Sequence, residues 1–523
     1  MVWQDRLDEI KQRTELARAG GEPDRIERQH QRGQYTIRER LDILLDDGSF
    51  HEVGALAGAG LYEDGELKEF TPAPYVMGLG KIDGRHVAIG GEDFTIRGGS
   101  AKHFHQRVKG GDVGGFPEEL AREYLIPLVL LIEGGGGNVQ RIASEGAPPL
   151  FAGNHQFMPA VEAMMYVPVV GAVLGYAAGG PAGRSQLVHW SVMTKETSAV
   201  FAAGPPVVRR AMGQELTPRE LGGPQIHVRE SGCIDNEAAD EEDAFRQIKA
   251  FLSYMPSNVY ELPPVAEFND APPDPEPLAD IVPRDRRRPY QMQKILQATL
   301  DPGSIFEIKP HYGLSLITAL ARVNGHPVGV IANNPLAYGG ALDGDGAEKQ
   351  AHFIDMCDYF HIPLVFFVDV PGFAVGPEAE RAATLKRGIR AAWAGMQATV
   401  PALSIVVRKC YGMAGMIPGD SRLRYKVAWP SSDWGILPIE GGVEAAYRRE
   451  IEASPDPEAR RRELEDEFAE MSNIFRTAEA FGVEEIIDPR ETRSHLERFV
   501  EMAYRVLPHE LADGPKSRPG VRP

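Results

Sequence analysis

The chain has 523 residues, more than a single compact core holds, so two or more domains are expected. Hydrophobic residues make up 43% and charged residues 25%, ordinary for a globular protein, and no long uncharged apolar run is present to span a membrane. A net charge of −19 argues against a nucleic-acid binder, which carries a basic surface, and leaves room for a local basic patch that holds an anionic ligand. The three cysteines, Cys233, Cys357 and Cys410, form no CxxC pair, so neither a disulfide framework nor a zinc site is expected. Met1-Val2-Trp3-Gln4-Asp5 lacks the charged-then-apolar pattern of a signal peptide, and a reducing cytoplasm is the expected compartment.

Residues 1–33 mix charges with Leu7, Ile10 and Leu16 and read as one or two surface helices. Thr36, with Glu39 three residues on, is a capping box that starts the next helix. Residues 54–72 are rich in Gly and Glu and are expected to form a loop. Val76 to Gly91 reads as a hairpin turning at Asp83-Gly84. Lys109 to Gly115 reads as a loop. The stretch Glu261 to Arg288 holds six prolines between Pro263 and Pro277 among acidic residues, which stiffens the chain and opposes helix. The tail after Leu511 is polar and expected to fray.

The chain then repeats itself. Asp47-Gly48-Ser49-Phe50-His51-Glu52 returns as Pro302-Gly303-Ser304-Ile305-Phe306-Glu307, and Ile82-Asp83-Gly84-Arg85-His86-Val87 as Val323-Asn324-Gly325-His326-Pro327-Val328. Ile126-Pro127-Leu128-Val129 returns as Ile362-Pro363-Leu364-Val365, and Val167-Pro168 as Val400-Pro401. The order is kept and the spacing shortens steadily, as expected of two homologous α/β domains whose first copy carries the longer loops. The expected division is residues 1–262, a proline-rich linker 263–289, and residues 290–523. Strands alternating with helices imply a mainly parallel sheet in each copy.

Two stretches stand at related places in the copies. Val167 to Gly180 and Val400 to Gly415 are each an apolar β-branched run, read as a buried parallel strand, ending in small residues. Either end taken alone is explained by an ordinary strand-to-helix turn. Their matching places argue that both present backbone N–H groups to a ligand, and two such turns suit two developing oxyanions. If the copies pack face to face, within one subunit or between two, the turns border a shared cleft.

At this point the sequence resembles the carboxyltransferase (β) subunits of biotin-dependent acyl-CoA carboxylases, the propionyl-CoA carboxylase β group among them. The resemblance runs from about Arg32 to Leu507. It is carried by Thr36 to Leu41 with Leu44 to Phe50, Asp93-Phe94-Thr95-Ile96-Arg97-Gly98-Gly99-Ser100, Ala178-Gly179-Gly180, Glu220-Leu221-Gly222-Gly223 and Ser231-Gly232. It continues through Tyr254-Met255-Pro256-Ser257-Asn258, Val368-Asp369-Val370-Pro371-Gly372-Phe373, Arg408-Lys409-Cys410-Tyr411-Gly412 and Ala428-Trp429-Pro430.

The resemblance implies an α/β fold of tandem crotonase-like domains, each built on a ββα spiral, a homohexameric core, and a separate biotin carboxylase and biotin carboxyl carrier subunit. No Met-Lys-Met biotin acceptor occurs in this chain, consistent with biotin arriving as carboxybiotin on that partner. It implies an acyl-CoA thioester substrate on the N-terminal side, with Gly179 and Gly180 holding the thioester enolate, Gly98, Gly99 and Ser100 near CoA, and Gly135 and Gly136 as further cofactor contacts. On the C-terminal side it implies that Met413 and Ala414 hold the ureido oxygen of biotin, with Gly412, Gly372 and Phe373 bordering its pocket. No metal is implied.

The sequence departs from the family in two places. The family's Gly-Gly-Ala-Tyr-Asp turn is here Gly412-Met413-Ala414-Gly415-Met416, and Met416, in place of a polar residue by the acyl pocket, points to a less polar or larger acyl group. The family's Asp-Ser-Gly-Gly-Ala-Arg-Ile-Gln is here Glu133-Gly134-Gly135-Gly136-Gly137-Asn138-Val139-Gln140. Pro181 has no N–H, so any donor of the first turn comes from Gly179 or Gly180 themselves.

Other groups read as structural. His103 and His105 lack a third ligand, Gly134 to Gly137 lack the Lys-Ser/Thr of a phosphate loop, and Arg460-Arg461-Arg462 is a solvated helix face. Cys410 has no histidine partner, and Asp369 closes an apolar strand. Arg286-Arg287-Arg288 is either a solvated linker or a contact for CoA or a partner. Two other functions stay open on sequence: a decarboxylase subunit running the transfer in reverse, and a non-catalytic β-like structural subunit.

Overall fold

The computed structural model describes residues 2–99, 115–136, 157–418, 424–471 and 473–512. The chain forms two compact units, one ending at Glu261 and the other beginning at Leu262. Two N-terminal helices, Gln4–Ala19 and Pro23–Gln31, precede the helix Ile37–Leu44. Thr36 and Glu39 form the expected capping box at its start.

The strands of the first unit are β1 (His51–Glu52), β2 (Gly58–Glu63), β3 (Glu66–Pro72), β4 (Tyr75–Ile82), β5 (Arg85–Glu92), β6 (Leu128–Gly134), β7 (Val169–Ala178), β8 (Trp190–Thr194), β9 (Ala199–Phe201) and β10 (Asn236–Ala238). Those of the second are β11 (Phe306–Ile308), β12 (Leu316–Val323), β13 (His326–Asn333), β14 (Leu364–Val370), β15 (Ala402–Tyr411), β16 (Arg424–Ala428), β17 (Asp433–Gly435) and β18 (Glu485–Ile486). The main sheets share one plan. The first runs β1-β4-β5-β6-β7-β8-β10 with β9 against the end of β7, and the second runs β11-β12-β13-β14-β15-β16-β18 with β17 against the end of β15. In both, an antiparallel hairpin at one edge gives way to parallel strands.

The central strands β6 and β14 are buried along their whole length, which is why they read as unbroken apolar runs. In the second unit the helices Met292–Thr299 and Thr492–Ala512 pack Ile295, Leu296, Leu496 and Val500 on Val330, Val365 and Leu403. In the first, Leu120, Ala163 and Met164 pack on Leu128, Leu130 and Val169.

The repeat is visible bond by bond. Asp46 accepts from the amides of Asp83 and Gly84 at 3.0 and 2.8 Å, and Ser49 accepts from Lys81 at 3.0 Å. Asp301 accepts from the amides of Asn324 and Gly325 at 3.0 and 2.8 Å, and Ser304 accepts from Arg322 at 3.1 Å. Both hairpins turn through two left-handed residues, Asp83 and Gly84 with φ 49° and 79°, and Asn324 and Gly325 with φ 49° and 78°. Such turns match the twist of the flanking strands.

Two stretches differ from expectation. Residues 54–72 hold the two-stranded hairpin β2–β3 rather than a loop, turning at Asp64-Gly65. Their glycine and glutamate content hides the strand pattern, and the Asp-Gly dipeptide is the signal that marks it. The proline-rich stretch contains no α-helix, only a 3-10 turn at Glu276–Ala279, yet it is packed onto the second unit. Leu278 is buried in that unit's core, and the Ala266 amide donates to the Gly325 carbonyl at 3.0 Å. The Lys109–Gly114 part of the expected glycine loop, the His103 and His105 pair, residues 137–140 and the tail from 513 on lie outside the described residues.

Candidate active site

In the first unit the carboxyl end of β7 runs into the short helix Gly180–Arg184. Gly179 has φ 64°, a left-handed conformation that a Cβ disfavours, and its carbonyl accepts from the Gly183 amide at 2.9 Å. Gly180 opens the helical turn, so its N–H has no intrahelical acceptor.

The neighbouring glycines crowd this turn. A Cβ on Gly136 would lie 2.6 Å from the Ala178 carbonyl oxygen, and one on Gly99 would lie 2.9 Å from the Glu133 carbonyl oxygen. The Gly135 amide donates to the Gly98 carbonyl at 3.0 Å. Arg97, Gly98 and Gly99 are left-handed in succession, with φ 55°, 63° and 75°. Gly98, Gly99, Gly135, Gly136, Gly179 and Gly180 thus share one end of the first sheet. Ser100 lies outside the described residues.

Charged side chains set beneath this end hold it in place, and they were not singled out from sequence. Arg184, the last residue of the turn's helix, is fully buried. It pairs with Glu92 at 3.1 Å and Glu118 at 2.8 Å and donates to the Tyr75 hydroxyl at 2.8 Å. Burial opposes its charge, but Glu118, Tyr75 and Glu92 outweigh that and hold it protonated. Glu133, next to last in β6, pairs with Arg40 at 2.7 Å, and Arg40 also reaches Glu241 at 2.7 Å. The available signal was an acidic residue ending a buried apolar strand, which must find a cation.

In the second unit β15 runs into the helical turn Gly412–Met416. Gly412 takes the left-handed conformation, with φ 59°, whereas Met413 does not. The replacement of glycine by Met413 therefore carries no backbone strain. Ala414 is buried, while Met413 and Met416 are 50% and 61% exposed. The Cys410 thiol donates to the Gly415 carbonyl at 3.2 Å, and burial pushes its pKa up, as suits a packing residue rather than a nucleophile.

Gly372 and Phe373 follow β14. The Gly372 carbonyl accepts from Leu342 at 3.0 Å, and the Ala374 amide donates back to the Leu342 carbonyl at 2.9 Å. A Cβ on Gly372 would meet nothing within 4 Å, so this backbone borders open space, while the Phe373 ring lies over Gly388. Tyr338, Gly339 and Gly340 repeat the left-handed run of the first unit with φ 50°, 63° and 85°.

Asp369, next to last in β14, occupies the place of Glu133. Its amide donates to Asn333 at 3.1 Å, as the Glu133 amide donates to Glu92 at 3.2 Å. The balancing cation differs: Arg408 of β15, at 3.0 Å, replaces Arg40 of a helix. Tyr290 also donates to Asp369, at 2.9 Å. Arg460 and Arg461 pair with glutamates on exposed helix faces. Among the described residues no group of three or more His, Cys, Asp or Glu could hold a metal, and no helix is long and apolar enough to cross a membrane.

Residues 28–510 match the carboxyl transferase domain family. The chain is 36% identical over 510 residues to the propionyl-CoA carboxylase carboxyltransferase subunit of Haloferax mediterranei, covering 95% of each chain. It is also 36% identical over 504 residues to the methylmalonyl-CoA carboxyltransferase 12S subunit of Propionibacterium freudenreichii subsp. shermanii, covering 95% of this chain and 94% of that one. A crystal structure of the transcarboxylase 12S hexamer with methylmalonyl-coenzyme A and methylmalonic acid bound superposes with a TM-score of 0.84 at 32% identity over 96% of both chains. The two sheets therefore have the tandem crotonase-like fold, and the chain belongs to the carboxyl transferase family.

Proposed function

We propose that the chain is the carboxyltransferase subunit of a biotin-dependent acyl-CoA carboxylase, moving a carboxyl group from carboxybiotin to the α-carbon of an acyl-CoA. The observation that carries this reading is the pair of sheets of one plan, each ending a central strand in a left-handed glycine turn. Negative charge develops on a thioester oxygen when the α-proton leaves. Fixed backbone donors at that oxygen stabilise it without reorganising, each worth roughly 2.7–4 kcal/mol. Gly179 and Gly180 take that role in the first unit, with Gly98, Gly99, Gly135 and Gly136 shaping the CoA side. Ser100 is assigned there by family resemblance alone.

In the second unit the Met413 and Ala414 amides are assigned to the ureido oxygen of biotin, beside Gly412, Gly372 and Phe373. The open space at Gly372 fits a ring laid against backbone. Carboxybiotin on a partner subunit supplies the carboxyl group and, by its loss, the base for the α-proton. The chain's own part is to bind and orient both groups and to keep water from the enolate.

Met416, exposed on this turn where the family carries a polar residue, favours an apolar acyl group. Partners in this reading are a biotin carboxylase and biotin carboxyl carrier subunit, around a homohexamer of this chain. Three free thiols fit a reducing cytoplasm. The test is purified chain with its biotin partner, ATP, bicarbonate and a panel of acyl-CoAs from acetyl to long-chain. Carboxylated product with at least one is expected; none with any would favour a structural subunit.

A further inference from the structure

The segment that enters the second unit ahead of the helix Met292–Thr299 turns at Arg286-Arg287, where the Arg288 amide donates to the Asp285 carbonyl at 3.1 Å, and meets β14 and β15 through Tyr290, Arg288 and Arg286. Tyr290 donates to Asp369 at 2.9 Å. The Arg288 carbonyl accepts from Arg408 Nη1 at 3.0 Å. Arg286 Nη2 donates to the Tyr411 hydroxyl at 3.1 Å, and its guanidinium pairs with Asp433. Tyr290 and the Arg288 carbonyl lie against buried groups of the core, whereas Arg286 is 41% exposed on its side chain and, among the described residues, bonds to groups flanking the glycine turn.

Those two partners matter by position. Tyr411 is the last residue of β15, and Gly412 follows it directly. Asp433 opens β17, which pairs Lys409 with Asp433, Cys410 with Trp434 and Tyr411 with Gly435. A Cβ on Gly412 would come 3.3 Å from the Ile436 carbonyl oxygen, so the continuation of β17 also walls the turn. One planar guanidinium therefore ties together the strand that leads into the turn and the strand that flanks it. Both contacts run through one guanidinium nitrogen, Nη2, so the loss of that single group frees both strands at once.

We infer that Arg286 is a positioning residue for the turn Gly412–Ala414, fixing through Tyr411 and Asp433 where the Met413 and Ala414 amides point. This rests on the assignment of that turn to biotin. Arg286 itself touches no reacting group. Its loss acts on transfer involving biotin and leaves acyl-CoA binding alone.

The test compares Arg286→Met, Arg286→Lys and Tyr411→Phe in the full chain. The donor is the carboxyacyl-CoA made from the best acyl-CoA of the panel above, the acceptor is free biotin, and loss of donor is followed. Arg286→Met is expected to lower biotin-dependent kcat about tenfold or more, with donor KM within about twofold, as misplacement of a catalytic group does. Arg286→Lys, which keeps a charged donor on a shorter side chain, recovers part of the rate. Tyr411→Phe added to Arg286→Met costs little more, since both act along one path. Unchanged kcat in Arg286→Met overturns the inference, as does a fall in kcat matched by a lost thermal midpoint and equal in Arg286→Lys. A panel in which the unaltered chain carboxylates nothing overturns the proposed function instead, and the inference with it.

Discussion

Gly136 lies against the backbone of Ala178, so close that a single added carbon on Gly136 would sit 2.6 Å from the Ala178 carbonyl oxygen. Gly136 is also left-handed, with φ 73°. Gly136→Ala must therefore strain its own backbone and push on the residue before Gly179. We expect carboxyl transfer to fall at least about 10²-fold, the scale of losing one oxyanion donor. Steady-state carboxylation checks this, and wild-type turnover in the variant would remove the contact from the site's design.

Arg184 neutralises two buried glutamates at the root of the first turn. Arg184→Met leaves Glu92 and Glu118 buried without it, a change that costs roughly 3–5 kcal/mol when one partner of a buried pair is removed. Chemical denaturation should show the first unit unfolding at lower denaturant. Glu118→Gln alone should cost less, because Glu92 and Tyr75 still face the guanidinium.

Thiol chemistry should separate the three cysteines. Cys233 is exposed, Cys357 is buried with its pKa pushed well above the usual thiol range by burial, and Cys410 is pushed up by burial as well. A raised thiol pKa means less thiolate at a given pH, and the thiolate is the reactive form. Iodoacetamide on the native chain at pH 8 should label Cys233 alone, with Cys410 joining only as pH rises. Mass spectrometry of the labelled peptides reads the order, and Cys410 modified first would contradict the packing.

Leu278 tests whether the proline-rich stretch belongs to the second unit's core. It is 1% exposed. Leu278→Ala should destabilise by about 2–5 kcal/mol, as for other buried leucines. A spacer segment would show no change in the unfolding midpoint.

Much of this arrangement is legible in the residues alone. Asp83-Gly84 and Asn324-Gly325 announce matching hairpins because such pairs readily accept two left-handed conformations in a row. The ordered repeats reveal the duplication because each copy must rebuild the same hydrogen bonds around Asp46 or Asp301. What sequence does not expose is long-range pairing. Nothing local says that Arg184 will meet Glu92 and Glu118, or that the cation on Asp369 comes from Arg408 while the cation on Glu133 comes from Arg40. The β2–β3 hairpin is hidden for another reason: it lies off the main sheets, so its sequence needs no strong apolar alternation. Arg286 reads as a solvated linker residue or a contact for CoA or a partner until the fold brings Tyr411 and Asp433 to it.

The central claim is that main-chain donors at the first glycine turn carry the acyl half of the reaction. The most direct measurement is acyl-CoA carboxylation by Gly180→Val, with the size of the assembly followed by light scattering. Loss of transfer by about 10²-fold or more in an assembly of unchanged size is the predicted result. Full turnover in that variant would contradict the account.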